Sequence, residues 1–443
     1  MILIENGMVI DPANGITKQA SVLIKHGKIA KILENIEEMS AIDANSCDRI
    51  NALGCIVAPG LVDVHVHFRD PGFTYKEDIE TGAKAALQGG FTSVVLMANT
   101  NPVVDNTETL TYVLEKGSKT NLKIYSCATV TKGMAGTELT DMKSLISKGA
   151  VGFTDDGRPI MDAALMESAL RRAAALKVPV SLHEENPTCI QNNGVNAGKV
   201  AEYYGIGGSP REAEISMIAR DLQIALDTRA ILNIQHISTK EGVALVREAK
   251  KKAAELGLHN IHAEATPHHF SLTQDAVLQY GTLAKMNPPL REEADRRAVI
   301  EGLKDGTIDI IATDHAPHSA EEKAKPITEA PSGIIGLETA LALGITNLVD
   351  TNQLPIETLI ERMSTAPARL YGLFAGTLSE GAPADVVIFD AGASWTVEAF
   401  ASKSSNSPFV GQTLKGKVCY TIVDGKVVFT NRALCSASCH KLS

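Results

Sequence analysis

The stretch Val62 to Gly72, "VDVHVHFRDPG", alternates valine with aspartate and histidine, then closes on an arginine and a Pro-Gly turn. In an extended strand the side-chain period is two. Asp63, His65, His67 and Arg69 therefore share one face, and Val62, Val64, Val66 and Phe68 share the other. The second face suits a core; the first could hold a metal. His-x-His on one strand face sets two imidazoles about 6 to 7 Å apart at their Cα atoms, close enough to bind one cation.

Outward from this run, apolar segments alternate with helix-like stretches between about residues 60 and 320, as parallel strands joined by crossover helices do. The strands expected are "LVDVHVHF", "TSVVLMAN", "LKIYSCATV", "AVGFTDD", "VPVSLHEE", "AILNIQHIS", "NIHAEATPHH" and "IDIIATDHAPH". The intervening "KEDIETGAKAALQGG", "MDAALMESALRRAAALK", "PREAEISMIARDLQIAL" and "TKEGVALVREAKKKAAELG" carry apolar residues at three- and four-residue spacing, which predicts helices. His65, His67, Asn99, Asp155, Asp156, His183, His236, Asp314 and His318 all fall at strand ends. A (β/α)8 barrel gathers polar residues from many strands at its C-terminal mouth; an open doubly wound sheet gives no reason for so many strands to contribute.

Both chain ends read differently. "ILIENGMVI", "ASVLIKHGKIAKI", "ADVVIFD" and "GKVCYTIVDGKVVF" alternate like strands with tight turns, including an Asp424-Gly425 hairpin. The fold expected is thus α/β: a TIM-like barrel over residues 59–371, with a small β-sandwich domain built from residues 1–58 and 372–443. "SKSSNSP" near residue 405 reads as a loop.

Composition narrows the function classes. The 443 residues are 44% hydrophobic and 21% charged, as in a soluble α/β protein, and no apolar run reaches membrane-spanning length. The first residues, "MILIENGMVIDPANG", show no secretory signal, which points to the cytoplasm. Seven cysteines without a Cys-x-x-Cys pair argue for free thiols in a reducing compartment. A net charge of −10, with no basic run longer than Lys250 to Lys252, leaves no footprint for nucleic acid or an anionic membrane.

Other motifs carry less. "HEENP" has Pro187 where a His-Glu-x-x-His helix needs its second histidine, "GIGGS" from Gly205 neither follows a strand nor opens a helix, and no Gly-x-Ser-x-Gly elbow occurs. His268 and His269 read as supporting or packing residues, and the closing "CSASCHK" as a frayed tail. The donors that remain, imidazoles and carboxylates without thiolates, favour zinc, with manganese, cobalt or iron as alternatives.

In order along the chain stand "GLVDVHVHFRDPG", "MANTNP", "FTDDG", "SLHEEN", "IQHIST", "TPHH", "NPPLR", "ATDHAPH", "GLETAL" and "GTLSEGAPADVVIFD". With these the sequence closely resembles the bacterial zinc-dependent dihydroorotases of the amidohydrolase superfamily, over nearly its whole length. "HVH" is evidence only for the superfamily; "HFRDPG" with "NPPLR" is far more specific.

The resemblance implies reversible cyclisation of N-carbamoyl-L-aspartate to L-dihydroorotate in pyrimidine biosynthesis, with one or two Zn2+ per subunit. It implies that His65 and His67 hold one zinc and His183 and His236 a second. Asp156 would bridge them where many relatives use a carbamylated lysine, Asp155 being the alternative, and Asp314 would touch the first zinc and act as general acid and base. Arg69, Asn99, Asn287, His318 and the backbone at Ser332 and Gly333 would hold substrate. A homo-oligomer is expected, and a complex with aspartate transcarbamoylase is compatible with activity. The rivals are another cyclic amidohydrolase, such as an allantoinase or a hydantoinase-like dihydropyrimidinase, and an inactive scaffold for aspartate transcarbamoylase.

Overall fold

The computed structural model describes residues 1–34 and 47–431. Cys435, Cys439 and His440, and with them the tail motif, lie outside the described residues. The protein is α/β, and its fifteen described strands form two kinds of sheet.

The chain ends build one antiparallel-rich sheet. Its strands are β1 (Ile2–Asp11), β2 (Ile16–Lys25), β3 (Lys28–Leu33), β4 (Asp48–Asn51), β5 (Ile56–Pro59), β13 (Val386–Thr396), β14 (Thr413–Val423) and β15 (Lys426–Thr430), the remaining strands lying between. They run in the order β15-β14-β13-β5-β1-β2-β3, with β4 also on β1. N- and C-terminal segments meet where β5 pairs with β13. Asp424 and Gly425 make the expected tight turn, both at positive φ (46° and 71°), which an Asp-Gly pair tolerates. The sheet curls until its opposite ends touch: a Cβ on Gly27 would lie 2.9 Å from the Asp424 carbonyl oxygen, leaving room only for glycine. Ile4, Val22, Ile24, Val386, Ile388 and Ile422 share the core so enclosed.

Between them lie the parallel strands β6 (Leu61–Val66), β7 (Phe91–Leu96), β8 (Lys123–Ser126), β9 (Val180–Leu182), β10 (Leu232–Ile234), β11 (Ile261–Ala265) and β12 (Ile310–Ile311). β6-β7-β8 form one ladder and β9-β10-β11-β12 another. Phe153 joins them through parallel bridges to Ala128 and Val180, and His315 bridges back to Val66, so the pairing returns to the strand where it began. The expected strand in "AVGFTDD" is thus reduced to one bridging residue. The expected strand through "TPHH" stops at Ala265, where Thr266 caps the helix Pro267–Ser271 by accepting from the His269 N–H.

The four expected helices form, over Ile79–Gln88, Ala163–Leu176, Arg211–Thr228 and Lys240–Glu255. Asp78, Asp162 and Thr239 accept from the first-turn N–H groups of three of them, which fixes where each helix starts beyond its strand. Among the described residues, no helix is long and apolar enough to cross a membrane.

Candidate metal centre

β6 is buried at every position. The expected alternation does not run through the strand: Val62 and Val64 pack with Val95, Ile310 and Ala312, Val66 and Phe68 pack in a separate core with Ile79 and Ala83, and the pairing with β7 shifts register between Asp63 and Val66. Asp63 does not join His65 and His67. Its carboxylate accepts from the Thr313 and His65 N–H groups and ties β6 to the end of β12; burial pushes it up to about 7.

His65, His67 and Asp314 offer donor atoms within 4.8 Å of one another, and so do His65, Asp156 and His236. Asp156 sits between the two groups. Its Oδ1 is 3.6 Å from His65 Nε2, 3.7 Å from His183 Nδ1 and 3.8 Å from His236 Nε2, and its Oδ2 is 3.5 Å from His67 Nε2. Asp314 Oδ1 is 2.9 Å from His67 Nε2 and 3.4 Å from His65 Nε2. Burial alone would raise both carboxyls, but the surrounding imidazoles outweigh it and hold Asp156 and Asp314 ionised, well below the usual carboxylate range.

The donor set fits one or two metal ions. His65 Nε2 and His236 Nδ1 are buried with no hydrogen-bond partner, and His65 Nε2 is aimed into the cluster. His183 Nδ1 and His236 Nε2 approach to 2.9 Å. Ligand atoms at about 2.0–2.1 Å from a tetrahedral cation stand about 3.3 Å apart, close to the separations found here. His65 Nε2 lies 3.6 Å from Asp156 and 3.4 Å from Asp314 without a hydrogen bond to either, the spacing that a shared cation would satisfy.

Partners behind the histidines set their orientation. Glu264, fully buried on β11, accepts from His65 Nδ1–H at 3.1 Å and also receives the Asn233 amide, which turns the His65 Nε2 lone pair inward. Glu185 lies 3.3 Å from His183 Nε2, with Ser209 and Arg291 behind it. Asn99 bridges two site residues: Oδ1 is 2.9 Å from His67 Nδ1 and its Nδ2–H donates to Asp156 Oδ2 at 3.0 Å. Glu264 and Glu185 escaped the sequence reading. An acid at a strand position facing the same interior as the histidines was the available signal for Glu264.

The remaining expected residues border the cluster. Arg69 is inward of the surface and spends Nε on the Pro317 carbonyl; Asp314 and Asp156 face it electrostatically, and its Nη2 lies 3.4 Å from His318 Nε2. Asn287 Nδ2 is 3.1 Å from His183 Nε2. His318 donates from Nε2 to the Ser332 carbonyl at 2.9 Å; burial, then Arg69 and Lys76, drive its pKa far down and keep it neutral. Gly333 has φ 149°, and a Cβ there would meet His318 Cδ2 at 2.7 Å, so only glycine fits. Its N–H and carbonyl are spent on the Lys285 carbonyl and on Asn406. Asn406 belongs to "SKSSNSP", which is more than a connecting loop: Ser404, Asn406 and Ser407 are buried, and Asn406 also accepts from the His318 N–H.

Arg69, His236 and Asp314 all hold positive φ (59°, 29° and 46°), a conformation costly for residues with a Cβ and concentrated at functional sites. The cluster can therefore polarise a carbonyl, activate water and relay a proton, with a cationic edge for an anion.

Comparison with known proteins agrees with this chemistry. A family profile described as Dihydro-orotase-like matches residues 54–242, and one for the Amidohydrolase family matches residues 299–429. A dihydroorotase of Clostridioides difficile is 55% identical over 431 residues, covering 97% of this chain and 100% of its own. A dihydroorotase of Clostridium acetobutylicum is 50% identical over 434 residues, covering 98% and 100%. Among solved structures, an L-hydantoinase (dihydropyrimidinase) from Arthrobacter aurescens superposes with a TM-score of 0.86 at 27% identity, over 97% of this chain and 96% of that one.

Proposed function

The chain belongs to the dihydroorotase family and is a cyclic amide hydrolase, and we propose that it interconverts N-carbamoyl-L-aspartate and L-dihydroorotate with zinc held by His65, His67, Asp156, His183, His236 and Asp314. The observation that carries the metal reading is the convergence of buried histidine and aspartate atoms around Asp156, with His65 Nε2 left unpartnered among them. The ring of parallel pairing supports a (β/α)8 barrel over residues 59–371, and the curled terminal sheet a small β-sandwich domain from residues 1–58 and 372–443. A homo-oligomer in the cytoplasm completes the reading, and co-sizing with aspartate transcarbamoylase tests whether the two associate.

A cyclic amide resists water because its carbonyl is a weak electrophile and its nitrogen a poor leaving group. When bound, zinc supplies Lewis acidity, lowering the pKa of water toward about 7 and polarising the carbonyl. Asp314, held ionised, accepts the proton of the attacking water and returns it to the departing ring nitrogen. Asn99 and Glu264 keep His67 and His65 turned toward the cluster throughout. Arg69 presents a planar fork to the substrate carboxylate, Asn99 and Asn287 stand close by, and neutral His318 with Ser332 and Gly333 walls the pocket.

Hydantoinase-like folds share the barrel, so substrate choice must be tested directly. Ring opening of L-dihydroorotate is measured beside hydantoin, dihydrouracil and allantoin, before metal stripping, after it, and after zinc return. Zinc-restored activity on dihydroorotate alone is expected. Activity on another ring would overturn the assignment of Arg69, and none on any ring despite bound zinc would leave a scaffold.

A further inference from the structure

Two lysines beside the site bury their ammonium groups against main-chain carbonyls. Lys323 ends the helix Ala320–Lys323, and Lys285 stands two residues before Asn287; each is 4% exposed. Lys285 Nζ donates to the Ile327 carbonyl at 2.7 Å and to the Ala330 carbonyl at 2.6 Å. Lys323 Nζ donates to the Pro331 carbonyl at 2.9 Å and to the Gly333 carbonyl at 3.1 Å. Burial, then the charge of Lys285, pushes Lys323 down to about 7. The cost of burying two neighbouring ammonium groups is offset by their hydrogen bonds and, at Lys323, by the nearby Glu322 carboxylate and by loss of a proton near pH 7.

Apart from a long contact of Lys323 Nζ with the Lys285 carbonyl at 3.5 Å, the bonds of both ammonium groups fall on one stretch. Residues 327–333 form neither helix nor strand, so their carbonyls have no ladder partners, and the two ammonium groups take their place. The Gly333 N–H closes the arrangement by donating to the Lys285 carbonyl at 3.0 Å. The segment in turn orients the pocket. The Ser332 carbonyl takes the His318 Nε2 hydrogen, which leaves His318 Nδ1 as an acceptor facing Lys76 Nζ at 3.4 Å and sets the ring beside Arg69.

We propose that Lys285 and Lys323 are positioning residues, a two-ammonium clasp that holds residues 327–333 so that Ser332 and His318 wall the carboxylate pocket beside Arg69. The clasp sets affinity for substrate rather than the rate of the chemical step. This rests on the reading of Arg69, His318, Ser332 and Gly333 as substrate-facing.

The test compares zinc-loaded wild type with Lys323→Met, Lys285→Met and Lys323→Arg, by hydrogen exchange and steady-state kinetics on L-dihydroorotate. Methionine keeps much of the apolar stem and removes the charge and donors. In both methionine variants we expect faster exchange across residues 327–335, KM raised about tenfold or more, kcat changed less than about threefold, and zinc content unchanged, the pattern of lost uniform binding. Lys323→Arg should recover most of the KM. Unchanged exchange and KM in both methionine variants, or a fall in kcat at constant KM, overturns the proposal. Faster exchange at constant KM instead removes Ser332 and Gly333 from the pocket, so the underlying reading fails while the clasp itself stands. If Lys323→Met does not fold, Lys285→Met carries the test alone, because the Lys285 Nζ it removes donates to the Ile327 and Ala330 carbonyls of the same segment.

Discussion

Asp155 and Asp156 are adjacent in the chain, yet their carboxylates serve opposite sides of the segment that carries them. Asp156 turns into the histidine cluster, with Oδ1 within 3.8 Å of His65, His183 and His236. Asp155 turns away, accepting from the Val130 and Thr131 N–H groups and from the Thr131 hydroxyl. Burial pushes Asp155 up to about 6 against those bonds. A turn begins here, with the Arg158 N–H donating to the Asp155 carbonyl at 2.8 Å, and only Asp156 of the pair reaches the histidines.

Asp156→Asn should therefore lose metal, and Asp155→Asn should keep it. Metal analysis after a chelator challenge is expected to show Asp156→Asn depleted and its kcat/KM lowered by at least about a hundredfold. Asp155→Asn should retain wild-type metal content but melt at lower temperature, because it weakens the anchor of residues 130 and 131. The reverse pattern would exchange the two roles.

Glu264→Gln tests the orientation of His65. Removing the carboxylate that takes the Nδ1 hydrogen should weaken metal binding by about 10- to 100-fold. Competition between the protein and a chromogenic chelator measures this without reference to activity; equal affinities would reduce Glu264 to a packing residue.

Arg69→Lys keeps the charge and the left-handed backbone but loses the planar fork. KM for L-dihydroorotate should rise about tenfold or more while zinc content stays constant. Unchanged kinetics would place Arg69 outside the substrate pocket.

Ring closure converts a carboxylate and a ureido nitrogen into a neutral amide and consumes one proton. Between about pH 6 and 8 the equilibrium ratio of dihydroorotate to N-carbamoyl-aspartate should fall about tenfold per pH unit. Approaching equilibrium from both directions with the enzyme measures the ratio, and a flat profile would exclude this pair of compounds.

Stability should also depend on pH through Glu338. Burial pushes its carboxyl up to about 7 despite the N–H groups of Ala401 and Ser402. Its folded pKa exceeds its unfolded value near 4.5, so its contribution is complete below about pH 4.5 and lost as pH rises through about 7. Glu338→Gln should flatten the decline in urea midpoint between pH 5 and 8; an unaltered slope would assign the decline to other groups.

Much of this was legible along the chain. Alternation in "VDVHVHF", helical spacing in the linkers and the Asp-Gly turn are local signals, because strand, helix and turn periods act within a few residues. They identified β6, the four helices named above and the β14–β15 hairpin, and brought His65, His67, His183, His236 and Asp314 to strand ends before any coordinates. Tertiary structure decided what those periods cannot carry. Asp63 has the same parity as His65 but serves Thr313, because the pairing of β6 with β7 shifts register between Asp63 and Val66 and the end of β12 offers Asp63 a donor. Which of Asp155 and Asp156 enters the cluster, and which acid orients His65, depend on strands joined only by lateral pairing. Asn406 and the lysine clasp depend on segments up to 121 residues apart, Lys285 and Asn406 both ending at Gly333. Such contacts arise from closure of the whole chain, and no local period of the sequence encodes them.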